Sequence, residues 1–262
     1  MIDSDCDAID PRYEDPLTAG LSNVCCALLY LVRTAYNHGG LWRWQSLTTW
    51  AFLLIVLYFA FASWASWSVY FSPGAVSHVA PSFAANMAVL LLGVSSTYAM
   101  MVTTIVTFVL IPLKAKRARK QKVDLFYGFF PLIMHNANLV LMVAELMLSG
   151  MHVDARHLPF AILFGATYAC WHQIVRWRLT HTLLYFFLSW KHPHAIKISL
   201  GLLASSGVYF GLAWCITEVL RPKPWGAPLV IALTVAVMRL RSPQQHLSAA
   251  GRLAEAAPAA DI

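Results

Sequence analysis

Residues 44–113 read WQSLTTWAFLLIVLYFAFASWASWSVYFSPGAVSHVAPSFAANMAVLLLGVSSTYAMMVTTIVTFVLIPL, without one Asp, Glu, Lys or Arg. A helix that crosses a bilayer needs about 20 apolar residues. This stretch holds two such helices and a hairpin, punctuated by Ser72-Pro73-Gly74 and Pro81-Ser82. The runs are long and continuous, with no alternation of period two, which excludes a β-barrel. The fold class that follows is all-α, a polytopic bundle of membrane helices.

Four more charge-poor stretches lie beyond it: Leu125–Ala144, His157–Val175, Ile198–Thr217 and the shorter Pro224–Met238. Together they give an expectation of six spans within 41–240. Residues 1–40 read as an acidic tail followed by Leu21–Tyr36, an apolar segment containing Arg33. That segment is expected to lie on the inner leaflet as an interfacial helix, with a seventh hydrophobic span as the alternative. Residues 241–262 read as a disordered C-terminal tail.

The whole composition agrees. Of 262 residues, 59% are hydrophobic and only 12% are charged, and the mean hydropathy is +0.60. Such a chain is too apolar to be disordered and too poor in charge for an ordinary soluble domain. With both termini placed in the cytoplasm, sixteen of the nineteen Lys and Arg residues fall inside. Arg156, Arg221 and Lys223 are left outside. The net charge of +7 is then a topology signal, and nucleic acid is not an expected partner. Six of the inside charges crowd into Lys114–Lys122, where anionic lipid headgroups are the expected contact.

The first 20 residues carry six acids and one Arg, which is not the pattern of a secretory signal. The five cysteines show no CxxC spacing, so neither a disulfide framework nor a zinc site is expected. His192 and His194, and His152 and His157 with Asp154, are weak metal candidates that close no coordination shell. No Walker, Rossmann, GxSxG or HExxH pattern is present, and no cofactor is expected.

An ionisable side chain within a span costs about 3 kcal/mol on insertion scales, so each needs a reason. His135 and Glu145 stand on the third span, His172 on the fourth and Glu218 at the end of the fifth. At about 100° per residue, His135, Asn138, Met142 and Glu145 share one face, which should point at other helices. Thr48 and Thr49 open the first span beside Trp42, Trp44 and Trp50, which read as an interfacial aromatic belt. Either threonine would ordinarily bond to its own helix, and a hydroxyl beside a base is also a nucleophile. Counted from the nearest charges, Thr48 and His135 differ in depth by roughly 9 Å. Gly207 and Gly211 have the spacing of close helix packing.

Several of these pieces carry a resemblance. Trp44-Gln-Ser-Leu-Thr-Thr-Trp-Ala-Phe through Tyr58-Phe59 resembles the first-span signature of the androgen-induced-gene and rolling-stone-like membrane proteins. So do His135-Asn-Ala-Asn-Leu-Val-Leu-Met-Val-Ala-Glu145, Phe164-Gly-Ala-Thr-Tyr168 and Tyr185-Phe-Phe-Leu-Ser-Trp190. The similarity runs in order over roughly residues 40 to 220, and the rolling-stone-like branch fits better. The androgen-induced branch implies a six-span hydrolase of fatty-acid esters that uses an intramembrane Thr and His. Thr48 and His135 match those positions as the catalytic pair, while Asn136-Ala137-Asn138 departs from the pattern. Asn138 would then support the oxyanion. The rolling-stone branch implies a non-enzymatic multi-pass protein acting through partners. A proton-coupled transporter using His135, His172 and Glu145 is the third alternative.

Overall fold

The computed structural model describes residues 46–71, 83–111, 133–175 and 194–238. Within them the chain forms six α-helices and no strand. Helix α1 is Leu47–Phe71 and α2 is Phe83–Ile105, continued by a π turn at Val106–Leu110. Helix α3, Asn138–Leu148, is entered through a π turn at Ile133–Ala137. A 3-10 turn, Ala155–His157, leads into α4, Leu158–Val175. Helix α5, Ala195–Cys215, ends in a third π turn, Ile216–Leu220, and α6 is Gly226–Val237.

Three of these helices are long and apolar enough to cross a membrane: Leu47–Ser68, Phe83–Leu110 and Ala195–Leu220. The third and sixth stretches form shorter apolar helices, His135–Leu148 and Gly226–Val237. At about 1.5 Å per residue the latter is about 18 Å long, less than the ~30 Å hydrocarbon core. The acidic tail, the Leu21–Tyr36 segment, the 73–82 hairpin, the Lys114–Lys122 loop and the C-terminal tail lie outside the described residues.

Helix α2 is the centre. Its span is 78% buried, against 50% for α1 and 28% for α5. The sequence explains the difference. Gly93, Ser95, Ser96, Thr97 and Ala99 are small enough to admit neighbours on several sides. The hydroxyls of Ser95 and Thr97 donate to the carbonyls of Leu91 and Gly93 at 2.5 and 2.7 Å, and Thr103 shares its one proton between the carbonyls of Ala99 and His135. A Cβ at Gly93 would lie 3.0 Å from the Phe210 ring of α5.

The contacts set the helix directions. Along α2 and α3, Ser95 meets Met142 and Thr103 meets the His135 carbonyl, so these helices are antiparallel. Along α2 and α5, Gly93 meets Phe210 and Met101 meets Ser205, again antiparallel. Along α2 and α4, Tyr98 meets Ala161 and a Cβ at Gly93 would touch Val153, just before α4, so these two run parallel. The short connections that close this frame lie at one end of the bundle. There Arg221 donates to the carbonyl of Met151 at 2.7 Å and to those of Leu146 and Gly150 at 3.3 Å. It also donates to Nε2 of His152 at 2.8 Å, which leaves Nδ1 of that ring to donate to Glu218 at 2.5 Å. Gly150 makes the turn possible with a φ of 71°. Arg156 and Arg221, both expected in outside loops, therefore stand at the same end of the molecule.

Among the described residues, a Cβ at Gly201, Gly207 or Gly211 would meet nothing within 4 Å. Those glycines turn away from the described helices, and Gly93 and Gly165 take the close contacts instead. Gly226 is also constrained: a Cβ there would run into the Leu220 carbonyl across the tight turn into α6.

Candidate functional site

Helix α1 begins at Ser46, whose hydroxyl accepts from the Thr48 backbone N–H at 3.2 Å and caps the first turn. This start places Thr48 and Thr49 in the first turn, both buried. Two residues on, the Trp50 ring packs against Phe164, Tyr168 and Trp171 of α4 at 5.8, 5.8 and 5.9 Å. Trp50 thus clamps α1 to α4. The reason is that α4 presents aromatic residues at helical spacing to the same level of α1. Two pieces quoted for the family resemblance, Thr-Thr-Trp50 and Phe164–Tyr168, meet in space here.

A partly open cleft with a cavity volume of about 50 Å³ lies beside this clamp. One face of α2 forms its back wall through Tyr98, Met101, Val102, Ile105 and Val106, at the i, i+3, i+4, i+7 spacing of a single helical stripe. Gly165 and Tyr168 of α4 and Ser199, Leu202 and Leu203 of α5 form the sides. Thr48 stands in the wall from α1. The lining is carbon apart from a few hydroxyls, so the cleft suits a hydrocarbon chain bearing one polar group.

His135 occupies the π turn that opens α3. A π turn takes up an extra residue, so the wheel drawn at 100° per residue does not carry across it. The hydroxyl of Thr103 reaches across from α2 and donates to the His135 carbonyl. On the ring, Nδ1 is buried and has no hydrogen-bond partner among the described residues. The rest of the expected polar stripe faces helices. Asn138 and Met142 are buried, and the Glu145 carboxyl accepts from the hydroxyl of Tyr58 on α1 at 2.6 Å.

The Tyr58–Glu145 bond also fixes a level. Phe61 of α1 lies 5.9 Å from Phe83 of α2 while Thr48 lines the cleft with Val102 and Val106, so α1, like α3, is antiparallel to α2 and runs parallel to α3. Ten residues back from Tyr58 stands Thr48, and ten back from Glu145 stands His135. Counted this way, the two lie at a similar depth along the bundle. The π turn bearing His135 packs against α1. Thr48 lines the cleft on one side of α2, and His135 is not among the residues that line it. No hydrogen bond joins the two side chains among the described residues.

The remaining candidates fall elsewhere. His172 on α4 is buried, with its ring 6.0 Å from that of Tyr168. Asp154 and His152 do not converge on a common point. Asp154 accepts from the Arg156 side chain at 2.6 and 2.9 Å and caps the 3-10 turn through the Arg156 backbone N–H at 2.9 Å. These bonds hold its carboxyl down at a pKa of about 2. Burial lowers the Arg221 guanidinium, with Glu218 opposing that shift. Among the described residues no group of three His, Cys, Asp or Glu side chains could hold a metal ion. Cys170 and Cys215 are free thiols. Sequence reasoning missed Tyr58, Tyr98 and Gly165, although Glu145, flagged as needing a partner, implied a donor such as Tyr58.

Comparisons with protein-family models, curated proteins and solved structures return no match for this chain.

Proposed function

We propose that this chain is a multi-pass integral membrane protein that takes one acyl chain of a membrane lipid into the cleft between α1, α2, α4 and α5. We propose further that it cleaves a lipid ester there, with Thr48 as nucleophile and His135 as base. The observation that carries the reading is Thr48 set in the wall of an apolar cleft. Leu163, Leu200, Val208 and Ile231, all exposed on the outside of the bundle, support a hydrocarbon surrounding. The family resemblance selects the same threonine and the histidine level with it.

In this reaction the Thr48 oxygen attacks the ester carbonyl while His135 takes its proton. The alcohol leaves with that proton, and water then releases the acid from Thr48. Hydrolysis requires His135 to come within hydrogen-bond reach of Thr48 once a lipid is bound, because a hydroxyl alone is a weak nucleophile. The resting separation of the pair favours a second reading, a lipid-binding protein without turnover, as the rolling-stone resemblance implies.

Ester hydrolysis by the purified protein decides between them. Thr48→Ala and His135→Ala should each abolish turnover, with the double variant no worse than either single. Thr49→Ala, rotated about 100° away on the helix, should retain it. Turnover that survives Thr48→Ala in a folded protein removes this mechanism, and inactivity of the unmutated protein across lipid esters selects the second reading.

A further inference from the structure

One end of the cleft is closed by three residues from three helices. Tyr98, Gly165 and Leu203 are, on α2, α4 and α5, the lining residues nearest the Arg221 end of the bundle. They leave no room for a methyl group. A Cβ at Gly165 would lie 2.5 Å from the Tyr98 hydroxyl and 3.1 Å from Leu203. Tyr98 has nowhere to retreat. It is fully buried, its hydroxyl donates to the Ala161 carbonyl at 2.7 Å, and its ring lies 4.7 Å from that of Phe164. From Tyr98 the cleft follows α2 to Leu110, twelve residues on, or about 18 Å.

We infer that the contact of Tyr98, Gly165 and Leu203 is a floor that sets the length of the single hydrocarbon chain the cleft accepts. This rests on the lipid-binding reading above and adds a length rule to it. Extended chain advances about 1.2 Å per bond, so the lining of α2 from the floor to Leu110 is about as long as fifteen bonds of chain.

The test uses the full chain in lipid nanodiscs and straight-chain carboxylic acids of increasing length, competing with a photoreactive fatty acid. Affinity should climb about fourfold per methylene until the chain meets the floor, and then level off. Leu203→Ala removes three carbon atoms from the floor. It should move the break to chains about two methylenes longer, with about a fourfold gain just past the original limit. Leu203→Phe should move the break to shorter chains. Gly165→Ala should do the same, but its contact with Tyr98 can compromise folding, so the Leu203 pair carries the decision. Saturable labelling with no break in length, or a break unmoved by both Leu203 variants, overturns the floor and leaves the lipid-binding reading standing. Absence of saturable labelling in the unmutated protein overturns both.

Discussion

Removing the Tyr58 hydroxyl should destabilise the bundle through one identifiable bond. Tyr58 is fully buried and donates to Glu145 at 2.6 Å. Interhelical hydrogen bonds in membranes contribute about 0.6 kcal/mol on average and up to about 1.7. A short bond to a carboxyl belongs in the upper part of that range, so Tyr58→Phe should cost about 1–2 kcal/mol. At about 2–4 °C per kcal/mol for a chain of this size, the Tm should fall by roughly 2–8 °C. Glu145→Leu leaves the Tyr58 hydroxyl buried without this acceptor and should cost about 1–3 kcal/mol. In the double variant neither group remains, so it should be less damaged than the sum of the singles by about 1 kcal/mol or more. Thermal unfolding followed by size-exclusion chromatography, in one detergent for all four proteins, measures the cycle. If the double variant equals the sum to within about 0.5 kcal/mol, the two side chains do not interact. The level assigned to Thr48 and His135 would then lose its anchor.

The Arg221 staple and the Asp154 cap give further expectations at the connected end of the bundle. Arg221→Lys retains the charge but loses the planar fork that serves three carbonyls. It should cost about 1–3 kcal/mol, and an unchanged Tm would show that the staple is only a surface contact. For Asp154, folding lowers the pKa from 3.8 to about 2. Its contribution is therefore present above about pH 4 and is lost as the pH falls toward 2. A carboxyl carbon NMR titration of aspartate-labelled protein should show a midpoint near 2, moving back toward 3.8 in Arg156→Ala. A midpoint near 3.8 in the unmutated protein would show that the bonds to Arg156 do not persist in solution.

Much of the helical architecture was legible because charge is nearly binary in a chain like this one. A stretch of 70 residues without a formal charge admits few structures, and α1 and α2 fill most of it. Stripes were harder to read than spans. The face of α3 bearing Asn138, Met142 and Glu145 was foreseeable because polar groups must turn inward. His135 could not be placed on that wheel because the turn it occupies is a π turn, whose extra residue has no mark in composition. The glycines show the same limit. Spacing singled out Gly207 and Gly211, which meet none of the described helices, while Gly165 closes the cleft only because Tyr98 and Leu203 arrive there from other helices. A motif on one helix states what that helix could offer, and the site depends on which neighbours take it up. The cleft is the clearest instance, because its walls come from four helices whose residues lie as far apart in sequence as Thr48 and Leu203. Each of those segments, read alone, is an ordinary apolar span. The functional content lies in the level at which they meet, which the bond from Tyr98 to the Ala161 carbonyl sets for α2 and α4 and the packing of Gly93 on Phe210 sets for α2 and α5.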